Sequence, residues 1–234
     1  MEIQELVRVP GVPESDVDPG VASRLGPNLA PAPWKCSAQS VLWFGRGGRA
    51  ATKALAPELA RSHKGLSVVG GMVHYTDTPV GSYGEVFGAV AVRRGHRIVG
   101  TVPFMSVDSE TSLVGGRSNW SLPKTLSSFE GAPVPGATMV ARGSSWTVHA
   151  TARPLGPAIP LIPLTISLAQ QWPDGVVRHA PMRAWGRARP ALVTVEVDAG
   201  KSLSGWLRPG RHAGLILESM EFTLGVSSAP RNGV

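Results

Sequence analysis

The sequence predicts an α+β fold in which mainly antiparallel β-strands greatly outnumber helices. Three observations carry this: repeated segments rich in β-branched and aromatic residues, Gly and Pro punctuation between them, and a single segment of clear helical character. Many strands with few helices point to a barrel or sandwich with helices packed on it. At 234 residues the chain can bury a substantial core without staples.

Taken in order, residues 1–33 hold six prolines, few large apolar residues and no periodicity, which reads as an extended arm draped over the domain or a neighbouring subunit. A single domain is expected over 34–226. Its first strand is SVLWF (40–44), followed by GRGGRA (45–50), which formally matches a dinucleotide fingerprint. No acidic residue closes the next strand and no helices space the strands beyond it, so 45–50 reads as a plain strand-to-helix turn. RAATKALAPELARS (49–62) reads as helix. Strands follow at LSVVGGMVHY (66–75), EVFGAVAV (85–92) and IVGTVPFMSV (98–107), then a weaker helix around 118–126. TMVAR (138–142) and SWTVHATAR (145–153) are again strands. The run PLGPAIPLIPLTISLA (154–169) is the nearest approach to a membrane span, but four prolines break it and it reads as a stiff, buried connection. RHAPMRAWGRARP (178–190) reads as a solvated segment or subunit contact. LVTVEVD (192–198) and LILESMEFTLGV (215–226) are strands around a short helix near KSLSGWL (201–207), and 227–234 form a tail.

Composition narrows the function classes. The net charge of +7 invites a nucleic-acid partner, yet the basic residues are scattered and 18 of the 23 are Arg in an Ala, Gly, Pro and Val-rich chain, so none is expected. One cysteine, Cys36, excludes an intrachain disulfide framework, and the start MEIQELVRVPGVPESD lacks the basic and apolar regions of a secretory signal. A cytoplasmic protein without membrane association is the expectation. Six histidines (63, 74, 96, 149, 179, 212) show no metal-ligand spacing, and no G-x-S-x-G is present. Neither metal nor cofactor is called for. Of the seven tryptophans, most read as core, and some could line an apolar ligand cavity.

Two segments remain. In NWSLPKTLSSFEG (119–131), Lys124, one of only five lysines, follows Pro123 among Trp120, Leu122, Leu126 and Phe129. Such surroundings suggest a desolvated amine of lowered pKa, able to attack a carbonyl and form a Schiff base. In HYTDTPVGSYGE (74–85), turn residues precede a carboxylate, Glu85, that opens a strand and could orient substrate or move protons.

The pair of motifs YTDTPVGSYGE (75–85) and VDSETSLVGGRSNWSLPKTL (107–126) resembles the signature of the acetoacetate decarboxylase family in order and spacing, and the resemblance extends over 32–226. It implies a cone-like or double β-barrel enclosing an apolar pocket, assembled into homo-oligomers. It also implies that Lys124 is the Schiff-base lysine, acetoacetate decarboxylase being itself a standard case of a lysine activated in this way, and that Glu85 is the active-site glutamate. Tyr83 and Arg117 fall in the two motifs, and Trp120 precedes the lysine. Both are counted with the expected substrate-binding set, together with Trp120.

Three departures complete that set. Thr125 stands where the decarboxylase has a second lysine, Gln39 where it has an arginine for the substrate carboxylate, and Gly71 where it has a second glutamate. These changes speak for a larger, less charged keto or polyketide-like substrate in specialised metabolism, handled by a lyase of decarboxylase or aldolase/dehydratase type. The alternatives are a non-covalent cyclase or isomerase on the same fold, and a non-catalytic ligand-binding barrel.

Overall fold

The computed structural model describes residues 3–94 and 97–229. Along the chain lie α1 (Ile3–Leu6), a 3-10 turn (Pro13–Ser15), α2 (Pro19–Ala22), β1 (Trp34–Arg46), α3 (Arg49–Lys53), α4 (Pro57–Ser62), β2 (Lys64–Asp77), β3 (Tyr83–Arg94) and β4 (Arg97–Val107). Then come α5 (Glu110–Trp120), β5 (Lys124–Leu126), β6 (Ser128–Glu130), β7 (Thr138–Arg142), β8 (Thr147–Pro154), β9 (Ile159–Gln171), β10 (Val177–Asp198), α6 (Lys201–Ser204) and β11 (Gly210–Leu224).

One mainly antiparallel sheet runs β11-β1-β2-β3-β4-β9-β10-β8-β7-β6, and a further β10–β11 pairing curls it into a ring. The long β10 makes this possible. Its first half pairs with β9, its second half with β8, and β11 lies along most of its length. The seam between β4 and β9 is a parallel contact at Gly100 and Leu168. There the Gln170 side chain stands in for a peptide group: Oε1 accepts from Val102 N at 2.9 Å and Nε2 donates to Val102 O at 3.1 Å. Such substitution satisfies buried backbone groups that have no ladder partner.

Strand alternation separates two apolar cores. On β3, Val86, Val90 and Val92 join Val41, Trp43, Met72 and Phe104 in one of them. Tyr83, with Phe87 beside it, faces the other, among Trp34, Cys36, Val73, Tyr75 and Val107.

Several elements differ from expectation. Helix 49–62 is split, because Pro57 lacks an N–H and instead opens α4 at its first position. The helix around 118–126 lies earlier, at Glu110–Trp120, where Ser109 caps its start, and Lys124 is in a strand. Residues 154–169 are no buried connection: β9 forms there, with Ile162 at 87% and Leu164 at 58% exposure. From Ile159 to Ser167 only β10 pairs with β9, so Pro160 and Pro163 remove donors where a free edge tolerates it. Residues 178–190 are likewise a ladder-bonded part of β10. At 45–50 the turn is as read, with Gly48 at φ 106°.

The arm lies against its own domain. Leu6, Val9, Val12 and Leu25 are buried, Val12 N donates to Pro103 O at 2.9 Å, and Met105 N donates to Ser15 Oγ. Of the tail, Ser228 bridges to His179; residues 230–234, like Met1, Glu2 and His96, lie outside the described residues. No helix among the described residues is long and apolar enough to cross a membrane, and no group of three or more His, Cys, Asp or Glu among them could hold a metal ion.

Candidate active site

The β2–β3 hairpin brings the first half of the site together. Pro79 and Gly81 shape its turn: Gly81 N donates to Thr78 O at 3.1 Å, and Gly81 holds φ 86°, which glycine adopts without strain. The register then sets Tyr75 opposite Tyr83 and Val73 opposite Glu85, all on one face. The two tyrosine rings stack at 4.3 Å.

The second half arrives from α5. The helix ends in a left-handed Ser121 (φ 53°, ψ 36°), whose N–H returns to Arg117 O while Leu122 N donates to Gly116 O. Pro123 prevents any return to helix. Lys124 therefore enters β5, parallel to β4 and beside Met105, with its side chain on the face that carries Glu85. Its stem crosses Gly116 so closely that a Cβ there would stand 2.6 Å from Lys124 Cδ.

The amine is fully engaged. Lys124 Nζ donates to Glu85 Oε2 at 2.8 Å, to Ser112 Oγ at 2.9 Å and to Tyr83 OH at 3.4 Å, and sits 5.0 Å from the centre of the Tyr83 ring. Tyr75 OH donates to the other carboxylate oxygen, Oε1, at 3.0 Å. The ion pair is closed off from solvent, its side chains 4% and 3% exposed. Two surface clefts of about 290 and 370 Å3 are lined by other residues.

Burial by itself would depress the lysine, but the Glu85 charge, Tyr83 and the hydrogen bonds to both outweigh it, and its pKa is raised. That corrects the expectation of a lowered one: desolvation is present, yet its partner carboxylate reverses the net direction. Burial also pushes the Tyr75 phenol well above its usual value and the Tyr83 phenol to about 12, so both stay protonated at neutral pH.

The family model for acetoacetate decarboxylase matches residues 49–209, which include both halves of this site. The chain belongs to the acetoacetate decarboxylase family.

Solved structures share the fold. A structure reported in structural studies of acetoacetate decarboxylase is 14% identical, with a TM-score of 0.66 over 91% of this chain and 93% of the other. An acetoacetate decarboxylase-like enzyme from Sphingomonas wittichii RW1 is 16% identical, with a TM-score of 0.64 over 86% and 93%. The enduracididine biosynthesis enzyme MppR with HEPES bound is 16% identical, with a TM-score of 0.59 over 86% and 89%. No curated protein matches the sequence.

Against the acetoacetate decarboxylase family pattern, the structure keeps Lys124, Glu85 and Tyr83 together and sets the other five expected residues apart. Arg117 is buried and spent on carbonyls: Nε on Lys124 O at 2.6 Å, and the terminal nitrogens on Leu6 O and Ser15 O at 2.7 Å each. Burial draws its pKa down to about 10, opposed by Asp16, and it clamps the arm to the lysine's own backbone. Thr125, one residue on and hence on the opposite face, donates to Asp16 O. Trp120 is core: Nε1 donates to Gly225 O and its ring meets Trp34 edge-on at 5.1 Å. Gln39 alternates away from Ala38 and Ser40 and donates to Glu218 O. Gly71 does face the site side, but Phe87 and Leu42 already fill the space a side chain there would take, so it opens no extra room.

Three residues escaped the sequence reading. Tyr75 and Ser112 lie inside the quoted motifs, and Tyr75 was legible as the cross-turn mate of Tyr83. Ser40, fully buried beside Val73 on this face, has a hydroxyl without any hydrogen-bond partner. Nothing in the sequence distinguished it from other strand serines.

Proposed function

We propose that the protein is an imine-forming enzyme acting on a keto compound, with Lys124 as nucleophile and Glu85 as its proton partner. The buried contact of 2.8 Å between them carries the reading. On substrate arrival the ammonium passes a proton to Glu85, and the freed amine adds to the carbonyl carbon. The carbonyl π pair moves to oxygen, which is protonated and leaves as water, so ammonium plus ketone gives iminium plus water. The iminium then accepts an electron pair, either from a broken bond to a β-carboxylate, releasing carbon dioxide, or from an α C–H bond whose proton goes to Glu85. Either route yields an enamine. Tyr75 holds Glu85 in line, and Tyr83 and Ser112 hold the nitrogen.

A weakly charged keto substrate fits best. Lys124, Glu85 and Arg117 are the charged residues in the buried set among the described residues, and Arg117 turns all three of its nitrogens to backbone carbonyls. Val73, Phe87, Met105 and Val107 surround the pair, and the unpartnered Ser40 hydroxyl supports a hydrogen-bonding group on the substrate. MppR, bound to the condensation product of pyruvate and imidazole 4-carboxaldehyde, makes the enamine-to-aldehyde route a natural one to test.

A second reading draws on the same ion pair. A lysine held charged can act as a hydrogen-bond donor while Glu85 moves protons in a non-covalent cyclisation. Proton exchange separates the two. With pyruvate, acetone and longer 2-oxo acids in D2O, the covalent reading predicts loss of the α-proton NMR signals with wild type and not with Lys124→Met. Equal behaviour of the two proteins would move the assignment to the cyclase.

A further inference from the structure

A second concave site lies where β1 ends and β11 begins, away from Lys124. The cleft, of about 290 Å3, is lined by Trp43, Phe44, Arg46, Arg208, Arg211 and His212, with Trp206 as a further wall. None of its lining residues is acidic. Arg24, Arg61, Arg142, Arg178 and Arg189 each lie within 4 Å of a carboxylate. Arg46 and Arg211 have no such partner among the described residues, and Arg208 makes only a long contact, Nε to Gly205 O at 3.4 Å. His212 Nε2 is 3.0 Å from Arg208 O, which fixes the imidazole at the rim.

Three guanidinium groups without an acid repel one another, and an anion in the cleft would relieve this. Guanidinium forks match phosphate oxygens in geometry as well as charge. The aromatic walls add a second specificity. Phe44 is 41% exposed, and flat rings beside arginines favour a planar, electron-rich ligand. The volume is near the lower end for small-molecule sites, enough for one ring and one phosphate.

We propose that this cleft binds a small planar molecule carrying a phosphate ester, at a site separate from the Lys124 chemistry. The test titrates the full chain with phenyl phosphate, benzoate and inorganic phosphate at about 0.15 M salt, following tryptophan fluorescence and heat. Saturable binding of phenyl phosphate is expected, with benzoate and inorganic phosphate each weaker by about tenfold or more, because each lacks one of the two recognised parts. An Arg46→Ser/Arg211→Ser double variant, changed only at exposed side chains, should keep its melting temperature and lose about tenfold or more in affinity for phenyl phosphate. No saturation by about 10 mM, or equal affinity in the double variant, overturns the proposal. Equal binding of benzoate overturns the phosphate assignment.

Discussion

At the scale of single residues, the lysine in the Pro-Lys motif is neither an ordinary solvated lysine nor a simply desolvated one. It is a buried ammonium paired with Glu85 at 2.8 Å, and in the proposed imine chemistry it must hand over a proton before it can attack. Glu85→Gln should therefore keep the fold and slow α-proton exchange by about 10²–10⁴-fold, the usual range for a positioned proton partner, as read by NMR. Cys36 supplies the pH test. Burial, with a smaller opposing effect of Lys124, raises its thiol to about 12, against roughly 8.5 in an unfolded chain. A raised folded value means that the associated stability is complete below the unfolded value and is lost as pH rises towards the folded one. At about pH 8 a disulfide reagent should leave the native thiol untouched and titrate it after unfolding; native reactivity would contradict the assignment. Lys124, Glu85 and Tyr83 were legible because motif residues at fixed spacing pointed to them. The direction of the lysine's pKa was not, since it depends on which carboxylate the fold brings within 3 Å.

At the scale of elements, the helix-to-strand reversal from α5 into β5 delivers the lysine. The sequence showed Pro123 but placed helix across it, because the capping Ser109 and the left-handed Ser121 that bound α5 have no strong local signature. The strands, whose alternation is read directly from β-branched and aromatic residues, were found far more completely. Proline was misjudged twice: Pro57 splits the helix expected at 49–62, and the prolines of 154–169 lie in or beside a strand rather than in a buried connection. Gly116 tests the reversal itself. Gly116→Ala, which in an ordinary helix interior would stabilise by about 0.5–1 kcal/mol, should here displace the lysine stem and lower imine formation by about tenfold or more. A variant that is stable and fully active would show that the stem's path does not matter.

At the scale of the whole molecule, one curled sheet carries two cores, and the charged pair sits in the one that the N-terminal arm helps to close. Arg117 ties Leu6 and Ser15 of the arm to the carbonyl of Lys124, so arm and site are fastened by one guanidinium. The half-paired stretch of β9 leaves Ile159, Ile162 and Leu164 exposed, as a contact between copies of the chain would require. Light scattering should give an oligomeric mass for the wild type and a smaller one for Ile162→Asp; a wild-type monomer would contradict this. The central claim is tested most directly by borohydride trapping with pyruvate, acetoacetate and larger keto acids, followed by intact and peptide mass spectrometry. The account predicts a reduced adduct on Lys124 that is absent in Lys124→Met. A folded protein that yields no adduct with any keto acid, or one on another lysine, would contradict it.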